Sequence, residues 1–314
     1  MKNVRRLTEG AILLAAFTVL LLITVYVPLL AVVVNLFLPV PFILFAAKNE
    51  WKFTFVFFIA SMLISVIAGA MIALPLTILY GITGGVIGYL LQKNKSRTVI
   101  FLLSSLTFLI LVVAQYAVSV AFFKVNVIQD SIKMLHDSLN QSSSMMKNLG
   151  QEKASKKSIE QMKEAIDLAP TIIPSIFVMS SFFMVFLIQA VSMPIVRRFG
   201  IKVEKWKPFR DILLPKSLLW YYLITMIVSM LTHPVKGSYL FMVLINLTYI
   251  LQLFMMIQGI SFVFYFFHRR GTPKAIPVII TVFSFIMPIF MNIVRILGII
   301  DLGFDLRKRL ENKK

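Results

Sequence analysis

Thirteen carboxylates, three histidines and no cysteine are the groups in this 314-residue sequence that could do acid–base, metal or nucleophilic chemistry. Their placement excludes most of it. His136, His233 and His268 fall in separate loops and make no metal-ligand spacing. Without cysteine there is no thiolate ligand, no disulfide and no sulfur nucleophile. No G-x-x-x-x-G-K-[ST] phosphate loop and no G-x-S-x-G elbow occurs, so neither a nucleotide motor nor a serine hydrolase is encoded in that form. The sequence therefore points to no enzyme, no cofactor and no metal. All thirteen carboxylates read as loop, span-end or tail residues. A carboxylate inside a span is the usual proton or sodium relay, so this pattern argues against a carboxylate-coupled transporter.

The polar groups that remain inside apolar stretches are Asn35, Gln115, Gln189, Asn246, Gln252, Gln258, Asn292 and Arg295. Each amide has a plain reading, an interhelical hydrogen bond worth about 1 kcal/mol or less. Arg295 reads as a side chain that snorkels to the interface or pairs with Asp301. The ligand-binding reading selects Asn35, Thr77, Tyr80, Gln115 and Ser175. With the first span entering from inside, these fall on four helices at comparable depth in the outer half. A few polar groups converging in an apolar setting is how small-molecule pockets are built.

The elements that must position them are membrane spans. Apolar residues make up 59% of the chain and charged residues 14%, far from the balance of a soluble domain. The net charge of +19 is not a nucleic-acid footprint. It is split among short basic loops between apolar segments, the positive-inside pattern. That pattern predicts a multi-pass cell-membrane protein with a cytoplasmic N-terminus, the bilayer as its surroundings and no nucleic-acid partner.

The fold class read from this is all-α: a polytopic transmembrane bundle of about eight or nine spans. Residues 1–197 read as one six-span bundle. Its spans fall near Gly10–Val27, Pro28–Ala47, Phe53–Ala70, Ile72–Gln92, Thr98–Phe123 and Thr171–Val196. A tight turn within Gly69–Pro75 joins the third and fourth. Residues 124–169 form an external insert with two amphipathic helices, interrupted at Gln141–Ser144 and Gly150. Residues 198–216 form a basic cytoplasmic interfacial segment with Trp206 and Phe209. Residues 217–300 hold three further segments, Ser217–Leu231, Ser238–Phe267 and Ala275–Ile300, and 301–314 is a charged tail. Nine crossings put that tail outside, whereas its net positive charge favours inside. Small residues mark close helix contacts: Ala11 and Ala15 in the first span, and Gly81, Gly84, Gly85 and Gly88 in the fourth.

Several runs carry a resemblance: RRLTEGAILLAAF at the start, PVPFILFAAKNEWK, GITGGVIGYLLQKN, LQLFMMIQGI and the ending LGIIDLGFDLRKR. With these the whole chain resembles the YybS-like family of bacterial membrane proteins. Residues 1–197 are also similar, more distantly, to substrate-binding subunits of energy-coupling-factor vitamin transporters. Those have six spans and an A-x-x-x-A in the first helix that meets the transmembrane coupling subunit, and Ala11 and Ala15 match it. The long insert and the three later segments depart from that pattern. The resemblance implies a transport-related subunit that binds a small molecule, lacks its own ATPase and needs a membrane partner. The alternative is a scaffold or regulator that acts through protein partners and binds no small molecule.

Overall fold

The computed structural model describes residues 2–148 and 152–311. Among them every regular element is helical: α1 (Lys2–Tyr26), α2 (Pro28–Val34), α3 (Pro39–Lys48), α4 (Trp51–Gln92), α5 (Arg97–Phe123), α6 (Val127–Asn148), α7 (Glu152–Arg198), α8 (Ser217–Thr232), α9 (Tyr239–Arg269), α10 (Ala275–Ile286), α11 (Pro288–Phe304) and α12 (Leu306–Glu311). In lipid only helices and closed barrels satisfy every backbone group internally, and this composition has taken the first route. Seven helical segments are long and apolar enough to cross a bilayer, or eight if the bent pair α10–α11 counts as one. The ninth expected span is α8. Its 16 residues reach about 24 Å, short of a hydrocarbon core about 30 Å thick.

The chain forms two compact units: residues 1–127 with 177–205, and residues 128–176 with 206–314. Residues 128–176, which hold most of the insert, fall in the second of these units.

In the first unit, α4 is helical throughout yet doubles back. The Ser65 and Thr77 hydroxyls lie 2.5 Å apart, whereas a straight helix would separate them by about 18 Å. The corner falls at Gly69–Met71, within the expected turn. A Cβ on Gly69 would stand 2.6 Å from the Ala73 Cβ, so the corner needs a residue with no side chain. The arms run Trp51–Gly69 and Met71–Gln92. Pro28 and Pro39 each open a helix, splitting the second span into α2 and α3.

The core is built on α3 between α1 and α4. Phe42 meets Phe17 edge-on at 5.0 Å and Phe57 at 5.4 Å. The expected glycine face is present, but its neighbour is mainly α3. A Cβ on Gly84 would stand 2.7 Å from the Pro39 carbonyl oxygen, and one on Gly88 2.6 Å from that of Ile43. Gly81 faces Phe58 and Phe42. Gly85 departs from the expectation: the nearest atom to its Cβ would be the Thr54 methyl at 3.9 Å, so it does not set the approach. Ala11 and Ala15 are exposed.

In the second unit, Gln141–Ser144 do not interrupt α6. Ser138, Ser142 and Ser144 each donate to the carbonyl four residues back, which keeps short polar side chains within the helix. Gly150 lies outside the described residues. The second insert helix is not separate, because α7 runs unbroken from Glu152 through the sixth span to Arg198. Helices α10 and α11 meet at 118°, with the break at Met287 before Pro288, where a preceding residue is forced out of helical backbone. The expected single span at Ala275–Ile300 is therefore a broken one. Its second half runs on to Phe304 and takes Asp301 out of the tail.

Candidate functional site

Helices α9 and α11 approach at backbone contact. A methyl group on Gly259 would overlap the Val294 carbonyl, and one on Gly298 would overlap that of Met255. This approach brings Gln258, next to the first glycine, against Asp301, one turn beyond the second. Gln258 is fully buried and Asp301 is 1% exposed. Gln258 Nε2 donates to Asp301 Oδ2 at 2.5 Å, and Arg307 Nε donates to the same oxygen at 3.0 Å. Asp301 Oδ1 is buried with no hydrogen-bond partner among the described residues.

Arg307 is the hub of a wider network. Its Nη1 donates to the Arg210 carbonyl at 2.8 Å and its Nη2 to Ser261 Oγ at 3.1 Å. The Ser261 hydroxyl lies 2.8 Å from the carbonyls of both Phe209 and Ile212. Gln258 Oε1 accepts the Leu214 N–H at 2.9 Å. Three side chains, Gln258 and Ser261 of α9 and Arg307 of α12, thus hold segment 209–214 in place, and the Asp301 carboxylate of α11 lies among them. A buried charge persists when it is paired and hydrogen-bonded. Here one carboxylate oxygen accepts two hydrogen bonds and the other has no partner among the described residues.

The five residues selected from sequence have other surroundings. Thr77 shares its contact with Ser65 and also reaches the Ala73 carbonyl. Gln115 donates to the Pro75 carbonyl at 2.8 Å. Tyr80 is packed against Phe108, ring centroids 6.2 Å apart. Ser175 belongs to the second unit and is bound to Asn246: its N–H and hydroxyl both reach Asn246 Oδ1, while Asn246 Nδ2 donates to the Thr171 carbonyl. Of the five, Asn35 alone keeps a buried oxygen without a partner among the described residues. Thr77 thus ties the two arms of α4, Gln115 ties α5 to α4, and Ser175 ties α7 to α9.

A second buried charge, Arg97, opens α5. Its N–H takes the Glu204 carboxylate at 3.1 Å and its Nη2 reaches the Gln189 carbonyl. Gln189 in turn donates to Ser104 Oγ. A carboxylate on the first N–H groups of a helix suits the helix dipole, and this cluster reads as a tie. Arg295 pairs with Asn292 rather than with Asp301. No group of metal-binding side chains occurs among the described residues.

Residues 15–302 match the family described as "Predicted membrane protein (DUF2232)". The chain belongs to this family. It is 29% identical over 311 residues to "Uncharacterized protein YybS" of Bacillus subtilis (strain 168), an alignment covering 99% of this chain and all of that one. No solved structure matches. The match takes in every residue of the polar centre except Arg307 of α12.

Sequence reasoning missed the centre because Asp301 was assigned to the tail and Gln258 to ordinary interhelical bonding. The signal was there in the glycines. Gly298 and Asp301 are three apart, on one helical face, and Gln258 adjoins Gly259. Glycine on a membrane helix allows backbone approach, and approach at those positions buries the polar neighbours.

Proposed function

We propose that the chain is a transport-related membrane subunit that binds a small molecule, has no ATPase of its own, and acts at the Asp301 centre. One observation carries the reading: a buried carboxylate, one oxygen of which has no partner among the described residues, on the second half of a broken helix. Intramembrane ionisable groups are costly and accompany solute or proton pathways. Broken helices at membrane depth provide the polar groups for such sites. The solute this centre favours is small and carries a hydrogen-bond donor for Oδ1, because the acceptor is fixed and Arg307 already balances its charge. The positive-inside pattern supports a cell-membrane location with the N-terminus and the Lys93–Arg97 and Arg197–Lys216 loops in the cytoplasm. The chain carries no motor motif, so the work of transport falls to a partner subunit. Mass spectrometry of the full-length protein, gently purified from its membrane, tests this. A retained small molecule and a co-purifying subunit are expected; a bare chain with neither contradicts it.

A second reading, a membrane scaffold or regulator without a small-molecule ligand, is favoured by one feature. Ala11 and Ala15 lie exposed on α1, open to another helix in the bilayer. A fixed protein partner recovered with no small molecule would select it.

A further inference from the structure

Asp301 departs from the expectation that every carboxylate lies in a loop, at a span end or in the tail: it sits within α11 and is 1% exposed. Its surroundings join it to segment 209–214 twice. Arg307 donates from Nε to Asp301 Oδ2 and from Nη1 to the Arg210 carbonyl. Gln258 donates from Nε2 to the same Oδ2 and accepts the Leu214 N–H at Oε1. Both side chains that hold the carboxylate thus hold the segment at their other ends. The two clamps differ in their response to charge. Arg307 is a cation whose side chain is 11% exposed, and a buried charge that loses its partner is strongly destabilising. If Asp301 becomes neutral, the guanidinium favours water, and its bonds to the Arg210 carbonyl and to Ser261 go with it. Gln258 is neutral, and a protonated carboxyl still offers Oδ2 as an acceptor, so its bonds persist.

We infer that Asp301 is a proton-binding switch, in which one proton on Oδ1 releases Arg307 and loosens segment 209–214. The step moves a proton from hydronium to Oδ1, leaves water, and makes or breaks no other covalent bond. Oδ1 is buried and has no partner among the described residues. A proton needs no cavity there, whereas a solute reaches that oxygen only after something moves. Intramembrane carboxylates commonly serve as proton relays, and protonation switches act by biasing an element with two arrangements. The switch rests on the reading of Asp301 as the working site and gives that site its regulation, since a donor-bearing solute and a proton exclude each other at Oδ1. The charged and titratable groups packed around it are Arg307, Asp305 with its partner Lys216, and the Arg210–Asp211 pair of the segment. From α9 comes Tyr265, whose ring centre lies 5.2 Å from the Arg307 guanidinium and whose hydroxyl bonds Arg269. From α8 comes Tyr222; α8 and α10 carry no charged residue.

The test follows the full-length protein in nanodiscs from pH 8 to pH 4 by hydrogen exchange, corrected for the pH dependence of the chemical step. Protection across 209–214 is expected to fall about tenfold on acidification while α4 stays protected. Asp301→Asn, neutral at every pH, should show the low protection already at pH 8 and no pH dependence. Asp305→Asn should respond to pH as wild type does, which separates the two neighbouring carboxylates. Infrared difference spectra of wild type give a readout that needs no variant: the C=O stretch of a buried protonated carboxyl should grow over the same pH range and shift when aspartate is labelled with carbon-13. Unchanged protection over that range, or protection that falls with no such band, would overturn the proposal. A small molecule retained by wild type together with unchanged protection would overturn the switch alone. The full pH response in a chain that retains no molecule would keep the switch and overturn the small-molecule reading.

Discussion

Gln258 and Arg307 donate to the same oxygen of Asp301 and leave the other oxygen of that carboxylate without a partner among the described residues. The two donors come from different directions, one along the α9–α11 contact and one from the turn that follows α11. Removing either leaves a buried charge less compensated, which costs several kcal/mol when a buried pair is broken. Arg307→Ala is therefore expected to lower the melting temperature sharply and to free segment 209–214, read as faster hydrogen exchange at Leu214. Unchanged exchange there would show that the network does not hold the segment.

The glycine face of α4 predicts a graded mutational series. Gly88→Leu should destabilise by about 1–3 kcal/mol or prevent folding, since it drives a side chain into the α3 backbone. Gly85→Ala should be nearly neutral, because its nearest neighbour would be at ordinary contact distance. Melting of the purified variants checks both, and equal losses at the two positions would contradict the packing described.

Asn246 bridges a rung of α7. The Ser175 N–H and Thr171 carbonyl would be partners in a regular helix, and both are bonded by the Asn246 amide, next to Pro174. Asn246→Leu, close in size, leaves both groups buried and should cost about 2 kcal/mol. A melting temperature equal to wild type would mean that α7 closes the rung by itself.

Asp305 gives a pH dependence of known sign. The hydrogen bond and charge of Lys216 hold its carboxylate below the ordinary range, which lies at about 3.9. A depressed value stabilises the folded state above the unfolded value, and the contribution is lost as pH falls through the folded one. The pair is part exposed, so the effect is small. Asp305→Asn should melt slightly below wild type at pH 6, and the two curves should converge as pH falls through the depressed folded-state value. A gap that persists in acid would refute the ion-pair account.

Much of this fold was legible in the sequence, because apolar run length and basic loops speak directly about a bilayer. The corner of α4 was bracketed by Gly69 and Pro75. Thr77, Gln115 and Ser175, selected from sequence as ligand-binding, lie within helices, and the partners they have there were not legible. Three of those partners are backbone carbonyls, and a backbone carbonyl leaves no mark in sequence. The Asp301 centre was hidden by a boundary. Hydropathy ended the last span at Ile300, whereas the Met287–Pro288 break shifts helical continuity on to Phe304. A residue counted as tail became the most deeply buried carboxylate described. The continuation of α7 through the insert was hidden as well, since a change of solvent along one helix alters its hydropathy but not its backbone.

Binding of a small molecule at Asp301 is the central claim, and comparing wild type with Asp301→Asn tests it most directly. Asparagine keeps the shape and an acceptor for Arg307 but puts an amide in place of the second carboxylate oxygen. Both full-length proteins are purified alike and examined by native mass spectrometry. The account predicts a small molecule retained by wild type and lost, or reduced at least tenfold in occupancy, in Asp301→Asn of equal helicity. The same molecule retained equally by both, or by neither, would contradict it.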